Sequence, residues 1–210
     1  MTEEPVGAVR ERRRATNWNV PNALTALRIV AVPFFGWALL IDGGDSPGWR
    51  WVALAIFALA MVTDKIDGDL ARKHNLVTDF GKIADPIADK ALTGMAFVGL
   101  SIIGELWWWV TAVVLLREWG ITLMRLWLVR GGIVLPAGQG GKLKTVVQSI
   151  ALAMLIAPLR MLSGPWEPIG EVLWWVAITL MGIAVALTVV TGADYVRQTL
   201  SARREQLAER

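Results

Sequence analysis

Cysteine is absent from the 210 residues, and histidine occurs once. Without cysteine there is neither a disulfide framework nor a thiolate metal site. The single histidine, His74, follows Lys73 in a polar stretch and reads as solvated rather than catalytic. Internal repeats and low-complexity tracts are also missing. No secretory signal peptide is expected. Glu3 and Glu4 precede the basic cluster Arg10, Arg12, Arg13 and Arg14, and the apolar run that follows is long and has no small-residue cleavage site. The formal net charge is only +3, and no nucleic-acid partner is expected. What is abundant is apolar: 55% of residues are hydrophobic and the mean hydropathy is +0.49, too high for an ordinary soluble domain. Twelve Trp, many near the ends of apolar runs, suit an interfacial aromatic belt.

About 20 residues cross a bilayer core. Six stretches approach that length, near Asn22 to Ile41, Trp49 to Ile66, Ile83 to Ile103, Leu106 to Val129, Val146 to Met161 and Ile169 to Ala193. The expected fold is an all-α integral membrane protein with six transmembrane helices. The second helix should continue past the membrane through Arg72. Lys and Arg are unevenly distributed. They gather before the first span, between the second and third (Lys65, Arg72, Lys73, Lys82), between the fourth and fifth (Arg130, Lys142, Lys144), and after the sixth. The alternate connections carry only Arg50 and Arg160 at their edges. Positive charge stays inside, so both termini and the loop after the second span are expected in the cytoplasm and the chain in the cell membrane. The expected organisation is a basic cytoplasmic segment 1–18, a transmembrane catalytic domain 19–196 and a cytoplasmic tail 197–210. The arginine cluster of the first segment is a topology signal that also attracts anionic lipid.

Charged residues near the membrane boundary are costly and point to function. Asp64 and Asp67 are spaced i, i+3, and Asp85 and Asp89 are i, i+4, so on helices each pair shares a face. Four convergent carboxylates suit a hard divalent cation such as Mg²⁺. Gly68 and Gly81 lack a Cβ and let a bulky ligand approach the backbone. Ala71 is small and lies on the aspartate face, and Arg72 offers a planar fork to phosphate. Acidic ligands, a phosphate contact and small residues around a crevice are the equipment for phosphoryl transfer from a diphosphate. The plainer alternative is a juxtamembrane network in which the aspartates pair with Lys65, Lys82 and Lys90. Another is a Mg²⁺ channel or transporter, which leaves Gly68, Ala71, Arg72 and the downstream basic residues without a role.

The whole segment reads D-x2-D-G-x2-A-R-x8-G-x3-D-x3-D, from Asp64 through Asp89. It resembles the signature of the CDP-alcohol phosphatidyltransferases, integral membrane enzymes of phospholipid synthesis with six transmembrane helices and a cytoplasm-facing site. By that resemblance Asp64, Asp67, Asp85 and Asp89 hold two metal ions, Mg²⁺ or else Mn²⁺, with Asp89 also the general base on the acceptor hydroxyl. Thr78 falls where the family contacts the nucleotide. The resemblance also implies a homodimer.

Three further segments resemble the phosphatidylglycerophosphate synthases within that family. The first is the opening Pro21-Asn22-Ala-Leu24-Thr25-Ala-Leu-Arg28. Pro21 and a capping Asn22 also have a structural explanation. Arg28, two turns into an apolar run, should face a polar cavity or a lipid phosphate. The second is Arg117-Glu118 through Arg125, whose two arginines share a helix face and call for an anion unless Glu118 neutralises one. The third is Gly140-Gly141-Lys142-Leu-Lys144-Thr145, where glycines ahead of lysines suit a phosphate cradle at a helix N-terminus. The resemblance implies transfer from CDP-diacylglycerol, bound by Asn22, Thr25, Arg28, Gly68, Ala71, Arg72, Thr78 and Gly81. The acceptor would be glycerol 3-phosphate, held by Arg117, Arg125, Lys142 and Lys144. Phosphatidylinositol phosphate synthases and cardiolipin synthases, whose acceptors also carry phosphate, remain alternatives.

Overall fold

The computed structural model describes residues 19–73, 78–130 and 140–208. The arginine cluster before Asn19 and His74 lie outside these residues, as do the side chains of Ala71, Arg72, Lys82 and Lys142. The described chain is helical, with no strand among the described residues. Six long helices follow one another: α1 (Val20–Leu40), α2 (Pro47–Lys73), α3 (Asp79–Ile102), α4 (Trp108–Arg130), α5 (Gly140–Ile156) and α6 (Glu167–Ala208). α1, the α5 region and α6 are long and apolar enough to cross a membrane. α2, α3 and α4 are as long but carry charged side chains within their apolar stretches. Large apolar side chains face outward along the bundle, among them Phe34, Leu59, Leu116, Leu123 and Val172. A soluble protein would bury such a surface; hydrocarbon solvates it. The chain is a membrane protein.

Several boundaries differ from those the hydropathy suggests. α2 runs through Lys73, one residue beyond the expected extension past the membrane. α5 begins at Gly140, so the glycines form its first turn, and it stops at Ile156 ahead of Pro158 rather than running to Met161. α6 continues unbroken through Ala208, so the segment after residue 196 extends the last helix. The α1 cap is Asn19, whose side chain accepts the Asn22 N–H at 2.9 Å. The cap is thus Asn19 rather than Asn22, whose side chain acts inside the bundle.

α1 lies between α2 and α3 and packs along both, while α5 packs along α6. The core holds Phe35, Phe57, Leu92, Phe97, Leu152 and Leu155. α1 approaches α3 closely at Gly99, where an added Cβ would stand 2.6 Å from Leu39 Cδ2 and force that side chain to shift.

One end of the bundle is welded by Arg50. Its guanidinium is buried and donates to the carbonyls of Leu155 (2.6 Å) and Ile156 (2.7 Å), the last two residues of α5. It also pairs with Glu105 in the α3–α4 turn at 3.3 Å. Glu105 accepts the Trp174 indole N–H at 2.8 Å, and Arg160 stacks over the Trp174 ring at 4.8 Å. The two arginines that break the charge asymmetry are thus both engaged in structure. Breaking a buried ion pair from one side costs about 3–5 kcal/mol. Arg50→Met should lower thermal stability in detergent by about that amount and leave both substrate KM values unchanged, because the aspartates lie at the opposite end.

Candidate active site

The opening motif of α1 turns out to be a support for the aspartates. Asn22, Thr25 and Arg28, spaced three apart, are all buried on one face of α1. Each reaches a different part of the signature. The Asn22 side-chain amide donates to Thr78 Oγ1 at 2.8 Å. Thr78 is the α3 cap and accepts the Gly81 N–H at 3.0 Å, the usual way a cap satisfies a first-turn donor. The Thr25 hydroxyl lies 2.6 Å from Asp85 Oδ1. Arg28 spreads its fork between two carboxylates of α2, at 2.5 Å from Asp64 Oδ1 and 2.6 Å from Asp67 Oδ2.

Asp67 is 3% exposed, whereas the Asp64 side chain is 40% exposed. Burial pushes the Asp67 carboxyl above the usual carboxylate range. The Asp64 and Asp85 carboxylates push the same way, against the Arg28 guanidinium. Such a group favours a nearby cation. Among the described residues, no three carboxylates close into a ready-made cation cage. The donor set nevertheless fits a hard divalent ion, since it offers only oxygens. Gly81 lies close against these donors, with no room for a larger side chain. A Cβ on Gly81 would stand 3.0 Å from Asn22 Oδ1, 3.4 Å from Thr78 Oγ1 and 3.7 Å from Asp85 Oδ2. The described ion pairs of Asp64 and Asp67 are with Arg28, and Lys90 reaches the Thr122 hydroxyl on α4.

A basic group forms around Glu118 of α4. Arg117 pairs with Glu118 at 3.3 Å and donates to Thr191 of α6 at 2.8 Å. Lys144, buried on α5, pairs with the same Glu118 oxygen. Asp89 lies within electrostatic reach of both Glu118 and Lys144. The structure therefore brings Arg117 and Lys144 together. Arg125 stands apart from them, exposed and 5.9 Å from the centre of the Tyr195 ring. Lys142 lies in the first turn of α5.

α6 contributes to this region without any motif in its sequence. Thr191 holds Arg117, and a Cβ on Gly192 would stand 3.2 Å from Arg117 Cγ. The Tyr195 hydroxyl and Gln148 Oε1, one turn beyond Lys144, are buried without a hydrogen-bond partner among the described residues. In the sequence, the only available signal was the run of hydroxyls Thr188, Thr191, Tyr195 and Thr199 at helical spacing in an apolar helix.

A helical membrane bundle with oxygen donors, a guanidinium and a lysine gathered towards one end is built for phosphate and cation chemistry. The family model of CDP-alcohol phosphatidyltransferase matches residues 18–190, and the chain belongs to that family. It is 48% identical over 187 residues to a Mycobacterium tuberculosis (strain H37Rv) protein named "Probable phosphatidylglycerophosphate synthase", covering 89% of this chain and 84% of that one. It is 36% identical over 190 residues to the CDP-diacylglycerol–glycerol-3-phosphate 3-phosphatidyltransferase of Bacillus subtilis (strain 168), covering 85% and 93%. For the protein of the same name from Rickettsia bellii (strain RML369-C) the identity is 35% over 181 residues, covering 84% and 93%.

Proposed function

We propose that this chain transfers the phosphatidyl group of CDP-diacylglycerol to glycerol 3-phosphate, giving phosphatidylglycerophosphate and CMP. The names of its relatives support this reading, and the observation that carries it is the basic pair Arg117 and Lys144 gathered beside Asp89. An acceptor bearing a phosphate needs such a pair; serine or choline does not.

In this reading six helices cross the cell membrane, with 19–196 as the catalytic unit and both termini in the cytoplasm. The enzyme works as a homodimer. Asp64, Asp67, Asp85 and Asp89 would hold two Mg²⁺ ions, which Mn²⁺ could replace, and ions bound there would supply positive charge to the diphosphate and to the departing CMP. Arg72 contacts phosphate, and Asn22, Thr25, Arg28, Gly68, Ala71, Thr78 and Gly81 shape the nucleotide side. Arg117, Lys142 and Lys144 hold the acceptor's phosphate, with Arg125 at its edge. The acceptor's free terminal hydroxyl oxygen attacks the phosphorus that bears diacylglycerol. The bond from that phosphorus to the CMP oxygen breaks, and Asp89 takes the hydroxyl proton.

The test is CMP release by purified protein given CDP-diacylglycerol with glycerol 3-phosphate, inositol phosphate, phosphatidylglycerol or serine in parallel. Glycerol 3-phosphate should be the best acceptor. A better rate with another acceptor overturns the assignment. A charge-assisted hydrogen bond contributes roughly 1.5–3 kcal/mol. Arg117→Ala and Lys144→Met should therefore raise the acceptor KM about 10- to 100-fold, and that for CDP-diacylglycerol far less. Equal weakening of both substrates would show that these residues support the fold or the nucleotide instead.

A further inference from the structure

The acceptor side of the site holds an acid that the reaction above does not use. Glu118 is the only acidic residue in α4. One of its carboxylate oxygens takes both basic neighbours, Lys144 from α5 and Arg117 from α4. Lys144 is nearly closed off, its side chain 4% exposed, whereas the Glu118 side chain is 29% exposed. Carboxylate and phosphate oxygens make the same charge-assisted bonds to lysine and arginine. A phosphate entering here meets donors that Glu118 already holds. Glu118, the more exposed of the two, can turn away where the buried Lys144 cannot follow it.

We propose that Glu118 is an internal counter-ion, holding Arg117 and Lys144 in register until the acceptor's phosphate displaces it. This rests on the reading above, in that it takes the acceptor to carry a phosphate. The arrangement keeps two basic groups in position without leaving buried charge unpaired, which would be costly. It also adds selectivity. An acceptor without an anionic group cannot replace the bonds that Glu118 gives up, and loses on the difference.

The test uses Glu118→Gln, which keeps the shape and removes the charge, and inorganic phosphate as the probe. The detergent-solubilised variant should melt at a lower temperature than wild type, and phosphate should raise its Tm more than that of wild type, because a ligand stabilises the state it binds. The KM for glycerol 3-phosphate should fall about tenfold, the size of one charge-assisted bond no longer given up, with the KM for CDP-diacylglycerol unchanged. A Tm that falls with no extra response to phosphate, or an acceptor KM that stays or rises, would show that Glu118 is structural and overturn the proposal. If Glu118→Gln does not fold, Glu118→Asp draws the carboxylate back by one methylene and should lower the acceptor KM by a smaller factor; an unchanged KM there overturns it equally. The phosphate-dependent Tm needs neither CDP-diacylglycerol nor turnover. A wild type that releases no CMP with glycerol 3-phosphate, beside a variant with the enhanced phosphate response, would therefore refute the acceptor and retain the counter-ion.

Discussion

Asp64→Asn, Asp67→Asn and Asp85→Asn should each lower CMP release by about 10²–10³-fold, since metal stabilisation of transition-state charge contributes several kcal/mol and each 1.36 kcal/mol is tenfold in rate. Excess EDTA should abolish turnover in the wild type, and Mg²⁺ or Mn²⁺ should restore it. The three variants should differ in stability even where they agree in rate. Asp67 is buried against Arg28, so its loss leaves half of a buried guanidinium fork without its counter-charge. Asp64 is far more exposed, and Asp64→Asn should lower the melting temperature less than Asp67→Asn. Undiminished turnover in EDTA would sink the metal assignment. Normal turnover in Asp67→Asn would remove Asp67 from the metal site.

For Asp89→Asn the expected loss is about 10²–10⁴-fold in turnover, the range of general base catalysis, with CDP-diacylglycerol still bound. Asp89 is one helical turn beyond Asp85 on α3, within electrostatic reach of both Asp64 and the Glu118–Lys144 pair. A group that takes a proton from the acceptor must stand between the two substrates in this way. Equilibrium binding of CDP-diacylglycerol separates the roles. Binding kept while rate is lost marks a base; binding lost along with rate marks a metal ligand. A near-normal rate would remove Asp89 from the chemistry.

The aspartate signature was legible because its spacing is strict and its setting is apolar, so each charge stands out. The helices were legible for the same reason, apart from their ends. Hydropathy cannot place an end where a helix continues beyond its apolar stretch, as α2 and α6 do. The partners of the signature were less legible. Asn22, Thr25 and Arg28 stood out as a motif, but their targets lie 36 to 60 residues away, and periodicity carries no information about distance across a fold. Arg50 looked like a stray charge at a span edge because the carbonyls it caps belong to α5. The α6 hydroxyls were hidden, since a threonine in an apolar helix commonly bonds its own backbone, as Thr188 and Thr191 do here.

The Arg28 bridge has a consequence for how the protein is made. α1 emerges from the ribosome before α2, so Arg28 reaches the bilayer 36 residues ahead of Asp64. A lone arginine in a transmembrane helix is penalised by about 2.5–3.5 kcal/mol at the bilayer centre on insertion scales. The apolar remainder of α1 must carry that burden until α2 arrives with two carboxylates. The same pairing that later shapes the site therefore also matches the charge that α1 carries, once α2 has packed against it.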